Sequence, residues 1–242
     1  MECIVVEDAR KLADTAADFL LAEFQKFPQW NLCCATGGSP MRTYQTLAKQ
    51  TVSHKMDLSR LHCFHLDEYA GLSPRDPRSC HFYIVEHVIK PLRLKPSQAT
   101  LWQGDTPSRE ETCAQYENAI RQKGGIHCQI VGLGINGHIG FNEPGSERTS
   151  RCREVALTDE TLRHNAKDLA GENIPTHALT MGIADILEAR TLLLLVTGTN
   201  KRESLKRLME LSPTPDYPAT FLKEHPNVTL ITDRPAVGSL RL

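Results

Sequence analysis

The sequence predicts an α/β fold of three layers, a mostly parallel sheet covered on both faces by helices. Two observations carry this expectation. Six short apolar runs recur along the chain, at residues 3–6, 30–35, 61–66, 126–131, 191–196 and 228–231, and runs of this kind belong to strands buried on both faces. The intervals between them are long enough for crossover helices, as a parallel sheet requires.

The first run is followed by Leu12, Ala16, Phe19, Leu20 and Phe24, one apolar face at helical spacing. The second ends in Thr36-Gly37-Gly38-Ser39-Pro40. Pro40 suits a first helical turn and Ser39 its N-cap, with Tyr44 and Leu47 on the helix beyond. Two glycines at a helix N-terminus turn N–H groups towards an anion. On these residues alone a phosphate cradle and a plain capped turn are equally well supported. The third run closes on Asp67-Glu68-Tyr69, a pair of carboxylates that without further context reads as a solvated turn.

Farther on, Ser108-Arg109-Glu110-Glu111 is a capping box whose helix should stop at Gly124-Gly125. The fifth run ends in Thr197-Gly198-Thr199-Asn200-Lys201, where Thr199 or Asn200 can cap a helix. Lys201 then lies in a first turn, where a cation opposes the helix dipole and needs another reason to be present. Residues from about 145 to 178, rich in Arg, Asp, Glu and Asn, suit a less regular, mobile cover. With no repeat or linker, residues 1–242 read as a single domain.

Composition narrows the function classes. The 242 residues are 40% hydrophobic and 24% charged, with a net charge of −1; no basic stripe marks a nucleic-acid binder. The best apolar run, Leu192 to Val196, is far short of the roughly 20 residues of a membrane helix. Met1-Glu2-Cys3-Ile4 is no signal peptide, so a cytoplasmic protein is expected. Cys33, Cys34, Cys63 and Cys128 fall inside strand-like runs, as free core thiols do. No Cys-x-x-Cys and no paired histidine spacing points to a metal, and His62 and His65, three apart on a strand, face opposite ways.

Residues 131–145 carry the strongest chemical signal: Val-Gly-Leu-Gly-Ile-Asn-Gly-His-Ile-Gly-Phe-Asn-Glu-Pro-Gly. Gly132, Gly134, Gly137 and Gly140 let the backbone turn tightly beside a ligand. His138 and Glu143 are set into that turn at the carboxyl end of a strand, where open α/β sheets bind ligands. Gly132-x-Gly134-x-x-Gly137 also satisfies the dinucleotide fingerprint. That motif must open a helix, and Ile139-Gly140-Phe141-Asn142-Glu143-Pro144 is a poor helix start, so a nicotinamide cofactor is set aside.

The segment resembles the signature of the glucosamine-6-phosphate deaminase/isomerase family, Gly-x-Gly-x-(Asp/Asn)-Gly-His-Ile-x-Phe-Asn-Glu-Pro. Leu66-Asp67-Glu68-Tyr69-Ala70-Gly71-Leu72 is similar to a second family motif, and the likeness extends in order from about residue 31 to about residue 233. It implies a Rossmann-like three-layer sandwich and a reaction turning an amino-sugar 6-phosphate and water into a ketose 6-phosphate and ammonia, without metal or organic cofactor. Asp67 is then the base at C2 of the open-chain sugar. His138, oriented by Glu143 and by Asn136 (where many members have Asp), opens the ring. Thr36, Gly37, Gly38, Ser39 and Lys201 hold the phosphate. Thr161-Leu162-Arg163-His164-Asn165-Ala166-Lys167 resembles the family's Thr-x-x-x-Asn-x-Arg lid, with Lys167 in place of the phosphate-binding Arg. Lysine keeps the charge and loses the bidentate fork; Arg163 is the other candidate.

Glucosamine-6-phosphate, giving fructose-6-phosphate, is the expected substrate. Ser79-Cys80 and Lys123-Gly124-Gly125 look closer to a branch acting on galactosamine-6-phosphate to give tagatose-6-phosphate. A 6-phosphogluconolactonase, of the same superfamily, would carry a Ser-Leu-Phe-Pro-like stretch in place of Phe141-Asn142-Glu143-Pro144, and a non-catalytic sensor would tend to lose Asp67 or His138. The partner expected is a small sugar phosphate. Homo-oligomers are allowed, since the family ranges from monomer to hexamer.

Overall fold

All six apolar runs form strands, and those strands pair only in parallel. A computed structural model of the chain describes residues 1–27, 29–158, 161, 162, 169 and 174–240. The runs become β1 (Glu2–Val6), β2 (Trp30–Cys34), β3 (Leu61–His65), β5 (Cys128–Gly132), β8 (Thr191–Val196) and β9 (Val228–Asp233). They form one sheet in the order β1-β9-β8-β5-β2-β3. Every residue of β2, β8 and β9 is buried, which is why these strands show no polar alternation.

Helices pack against this sheet. α1 (Ala9–Gln25) is capped by the Asp8 carboxylate, which accepts from Lys11 N at 2.8 Å, and buries Leu12, Ala16, Leu20 and Phe24. α2 (Gly38–Ser53) packs beside it. α3 (Cys80–Ile84) continues into a wider π turn at Val85–Ile89. α4 (Arg109–Gln122) begins at Ser108, whose hydroxyl accepts from Glu111 N, and ends before Gly124 and Gly125. Among the described residues, shorter helices include α5 (Ile183–Leu187), α6 (Arg202–Glu210) and α7 (Arg234–Val237). The mostly parallel, helix-covered sheet is therefore as expected. All eight cysteines are free. Among the described residues no helix is long and apolar enough to cross a membrane.

Two expectations need correction. The N-cap of α2 is Gly37, not Ser39: its φ of 106° makes the turn into the helix, and no side chain caps it. Within 145–178, the described residues also include strands that the sequence reading did not name. They are β6 (Arg153–Ala156) and the start of β7 (His177–Thr180), which pair antiparallel with each other and, through β7, with β4 (Asp67–Tyr69). These strands are only three or four residues long, too short for a period to register in sequence.

Strand order fixes where a ligand goes. β2 and β5 are neighbours, yet the chain leaves β2 for β3 on one side and leaves β5 for β8 on the other. Beyond their carboxyl ends a crevice must open, the switch point at which such sheets bind ligands. Leu66 alone separates β3 from β4; its N–H donates to Cys34 O at 2.9 Å and its carbonyl accepts from Met181 N at 3.0 Å. One residue thus joins the two sheets and sets Asp67 at their seam.

The junction after β7 is held by close packing. A Cβ on Gly182 would lie 2.1 Å from Ser150 O, while that carbonyl accepts from Ala184 N at 3.0 Å. Gly182 has φ −74°, open to any residue, so the constraint is space alone. Gly182→Ala is expected to destabilise the protein by about 1–3 kcal/mol, as overpacking does. Urea denaturation measures this; an unchanged midpoint would mean the Ser150 backbone yields freely.

Candidate functional site

The crevice is a cavity of about 1080 Å³, and four strand ends feed it. Thr36, Gly37, Gly38 and Ser39 line it from the turn after β2, Asp67 from the seam after β3, Asn136 and His138 from the loop after β5, and Lys201 from the loop after β8. Residues up to 165 positions apart in sequence thus line one cavity, counting from Thr36 to Lys201.

Glycines shape the His138 loop by leaving room. A Cβ on Gly134 would stand 2.4 Å from the His138 ring, so the imidazole lies back across its own loop. Gly137, at φ 87°, would collide with the Tyr217 ring at 2.4 Å if it carried a side chain. Tyr217 is buried and donates its hydroxyl to Ser204 O at 2.8 Å, while Ala219 N donates to Gly137 O at 2.8 Å. That segment forms the back wall of the loop.

A directed hydrogen-bond chain runs from the imidazole. Asn136 Nδ2 donates to Glu143 Oε2 at 2.8 Å, and Asn136 Oδ1 lies 2.8 Å from His138 Nδ1. A carboxylate only accepts, so Glu143 obliges Asn136 to present its NH2 there and its oxygen to the ring. The ring must then carry its proton on Nδ1, which leaves Nε2 as a free acceptor. Burial pushes the Glu143 carboxyl up, but the His138 ring, the Thr161 hydroxyl and the Asn136 amide together bring it below the ordinary carboxylate range. Glu143 itself lies behind the cavity wall and borders a second cavity of about 380 Å³ with Ser146 and Arg153. Sequence grouped Glu143 with His138; the structure places Asn136 between them, the two charged groups being 3.7 Å apart.

Asp67 is buried, and both burial and the neighbouring Glu68 charge push its carboxyl up to about 7. A Cβ on Gly140 would be 3.1 Å from Asp67 Oδ2, so the glycine-rich loop passes directly beside the carboxylate. Glu68 is no solvated turn residue. Fully buried, its Oε1 accepts from Tyr69 N at 2.7 Å and Cys80 N at 2.9 Å, and its Oε2 from His81 N at 2.7 Å.

Other groups that line the cavity suit an anion. With Gly37 as cap, no side chain occupies the first N–H groups of α2, and the Ser39 hydroxyl is released to the cavity. Tyr44 donates to Ala35 O at 2.8 Å and Tyr83 to Gly37 O at 2.7 Å, fixing this turn from both sides. Gly198, at φ 96°, starts the turn carrying Lys201, not Thr199 or Asn200 as cap, and Asp233 accepts from the Thr197 hydroxyl and from Gly198 N. Burial alone lowers the proton affinity of Lys201, with no carboxylate among the described residues to offset it. A half-buried cation without a counter-ion suits an anionic ligand.

Lys167 and Arg163 lie outside the described residues. Among those described, Glu117, Cys152 and Asp185 bring ligand atoms within 4.8 Å of one another. Arg151 already pairs with Asp185 at 2.8 Å and Glu117 at 3.6 Å, and none of the three lines the main cavity. Sequence reasoning missed Tyr83, Tyr217 and the contact of Thr161 with Glu143, all of which depend on long-range packing that no local spacing signals.

Comparisons with known proteins converge on one family. A family model described as glucosamine-6-phosphate isomerases/6-phosphogluconolactonase matches residues 7–231. A glucosamine-6-phosphate deaminase of Rhodopirellula baltica is 39% identical over 241 residues, covering 99% of this chain and 96% of the relative. Glucosamine-6-phosphate deaminase 2 of Bacillus subtilis is 37% identical over 244 residues, covering 100% and 98%. A solved monomeric glucosamine-6-phosphate deaminase superposes with a TM-score of 0.95 at 36% identity, covering 100% of both chains. A 6-phosphogluconolactonase from Thermotoga maritima, at 20% identity and a TM-score of 0.76 over 96% of this chain and 99% of that one, shares the fold.

The environment of Asp67 is directly measurable. Its carboxyl is expected to be protonated below about pH 7 and ionised above it. A carboxyl-carbon NMR titration reads this, with the Asp67→Asn spectrum identifying the resonance. A midpoint near the ordinary value of about 4 would show that the side chain is solvated.

Proposed function

The chain belongs to the family of glucosamine-6-phosphate isomerases and 6-phosphogluconolactonases, and within it we propose that it is a hexosamine-6-phosphate deaminase. It converts glucosamine-6-phosphate and water to fructose-6-phosphate and ammonia. The observation that carries this reading is the shared cavity of Asp67, His138 and Lys201: a buried carboxylate, an imidazole with one fixed tautomer, and a cation with no counter-ion among the described residues. The Phe141-Asn142-Glu143-Pro144 stretch and the deaminase relatives weigh against a lactonase.

Each step then has a group to perform it. The N–H groups at the start of α2, the Thr36 and Ser39 hydroxyls and Lys201 hold the phosphate. His138 Nε2 takes the proton of the anomeric hydroxyl and returns it to the ring oxygen, opening the pyranose. The resulting imidazolium is stabilised through Asn136 by the ionised Glu143. Asp67 removes the C2 proton, whose acidity the C1 carbonyl and the substrate ammonium raise. With one proton passed from the ammonium nitrogen to O1, the enolamine so formed takes the C2 proton back at C1, which leaves an imine at C2; water adds there and ammonia departs. A carboxyl near 7 is a stronger base than an ordinary carboxylate and is still half ionised at neutral pH.

Residues 1–242 act in this reading as one domain on a small-molecule sugar phosphate in the cytoplasm, with the region of 145–178 covering the cavity. Ammonia release from glucosamine-6-phosphate, with no cofactor added, tests it directly. Activity should exceed that with galactosamine-6-phosphate, and ammonia from neither sugar would refute the assignment. Asp67→Asn should lower kcat by about 10²–10⁴-fold, the range for loss of a general base, with binding preserved. Lys201→Ala should raise KM about tenfold or more, through loss of a charge-assisted contact. An unchanged KM would return Lys201 to the role of a surface lysine.

A further inference from the structure

The turn between β2 and α2 is open on one side: a Cβ on Gly37 or on Gly38 would meet no atom within 4 Å. Side-chain packing therefore does not set the peptide between these two glycines. Its oxygen, Gly37 O, accepts from the hydroxyl of Tyr83 on α3 at 2.7 Å. That hydroxyl has a single proton, committed to the carbonyl, so Tyr83 lines the cavity without donating to a ligand. Burial pushes the hydroxyl well above its ordinary range, and the donor stays protonated through neutral pH. The ring itself is seated against His87, with centroids 4.5 Å apart.

We infer that Tyr83 is a positioning residue of the phosphate turn, which aims the Gly38 N–H by holding the Gly37 carbonyl. The two groups belong to one planar peptide and point to opposite sides of it, so fixing the oxygen fixes the N–H. The torsions on either side of that plane belong to glycines, which makes its tilt soft without an outside partner. Gly38 opens α2, and its N–H is among those with no partner inside the helix. Tyr83 also ties this peptide to the opposite wall. Glu68 accepts from Cys80 N and His81 N at the start of α3, and Tyr83 N donates to Ser79 O at 3.2 Å, so the tyrosine stands one turn along a helix already fixed beside Asp67. A second, weaker contact joins the same elements, Thr36 Oγ1 to Cys80 Sγ at 3.9 Å, but it stops short of the glycines. Removing the Tyr83 hydroxyl therefore loosens the turn at Gly37 and Gly38. Tyr44 still holds Ala35 O, and Glu68 keeps its three donors beside Asp67.

This inference rests on the phosphate site proposed above, and it can be read without turnover. In protein labelled with nitrogen-15, titration with inorganic phosphate should shift the Gly38 amide resonance, identified by its loss in Gly38→Ala, to saturation. Tyr83→Phe keeps the ring against His87 and deletes only the hydroxyl. It should weaken phosphate binding about three- to tenfold, the range for one neutral hydrogen bond. The Asp67 carboxyl should still titrate near about 7 in this variant, which a general loosening of the site would not allow. In turnover with glucosamine-6-phosphate, KM should rise by a similar factor with kcat little changed. If Tyr83→Phe fails to fold, Tyr83→Leu carries the same test. Unchanged phosphate affinity in the variant would overturn the inference, and so would an Asp67 midpoint that falls together with the affinity. A wild-type protein whose Gly38 amide ignores phosphate would remove both the phosphate assignment and the inference. If phosphate binding weakens as stated while the wild-type protein releases no ammonia from either sugar, the positioning role stands and the proposed reaction falls.

Discussion

A carboxylate taken out of water must be met by donors, and Glu68 meets this condition with three backbone N–H groups from two separate elements. Two of those donors are the opening residues of α3, where the helix dipole also favours a negative charge. Satisfying one buried charge therefore welds β4 to α3. The rest of the site is arranged around that weld. Asp67 sits one residue away, and the fixed negative charge beside it favours its protonated form. Cys80 and Tyr83 are carried on the same short helix, and Tyr83 reaches across to hold Gly37. The Asp67-Glu68 pair thus divides its labour: one carboxylate builds the floor and the other is left with an unsettled proton.

The same logic of acceptors and donors operates on the opposite wall. Glu143 can only accept, which gives Asn136 a direction, which gives His138 a tautomer. The two chains differ in what they face. Glu68 is enclosed by backbone and is structural, whereas Asn136 and His138 border the cavity and Glu143 stands one layer behind them. The same cavity is lined by the Asp67 carboxyl, the His138 imidazole and the Lys201 ammonium, the last with no carboxylate beside it among the described residues.

Much of this was legible in sequence, for physical reasons that differ by element. The strands of the large sheet could be read because each is a short apolar run, buried along its whole length in β2, β8 and β9 and exposed in part where β1 forms the sheet edge. The α1 face could be read because Leu12, Ala16, Leu20 and Phe24 keep one side inward. β4, β6 and β7 could not, since three or four residues hold neither a period nor a run. Ser39 looked like a cap by residue type, yet the positive φ of Gly37 turns the chain two residues earlier and leaves the serine to the cavity. His138, Asn136 and Glu143 stood together in one loop and so were visible as a group. Their order of contact was not visible, nor were Tyr217 behind Gly137 and Thr161 beside Glu143, because these partners come from segments 18 to 80 residues away.

The single-residue link at Leu66 has a further consequence for how the protein breathes. The small antiparallel sheet has its own apolar cluster, built on Tyr69, Leu72, Cys80, Phe141, Leu157, Leu169 and Ala178, separate from the large one under the parallel strands. A cluster of that size supports a local opening of lower free energy than unfolding of the whole, and the two sheets become distinct cooperative units in hydrogen exchange. Asp67 lies at the border of these units, with the glycine-rich loop pressed against it. Amides of the smaller sheet are then expected to exchange ahead of those of the parallel strands.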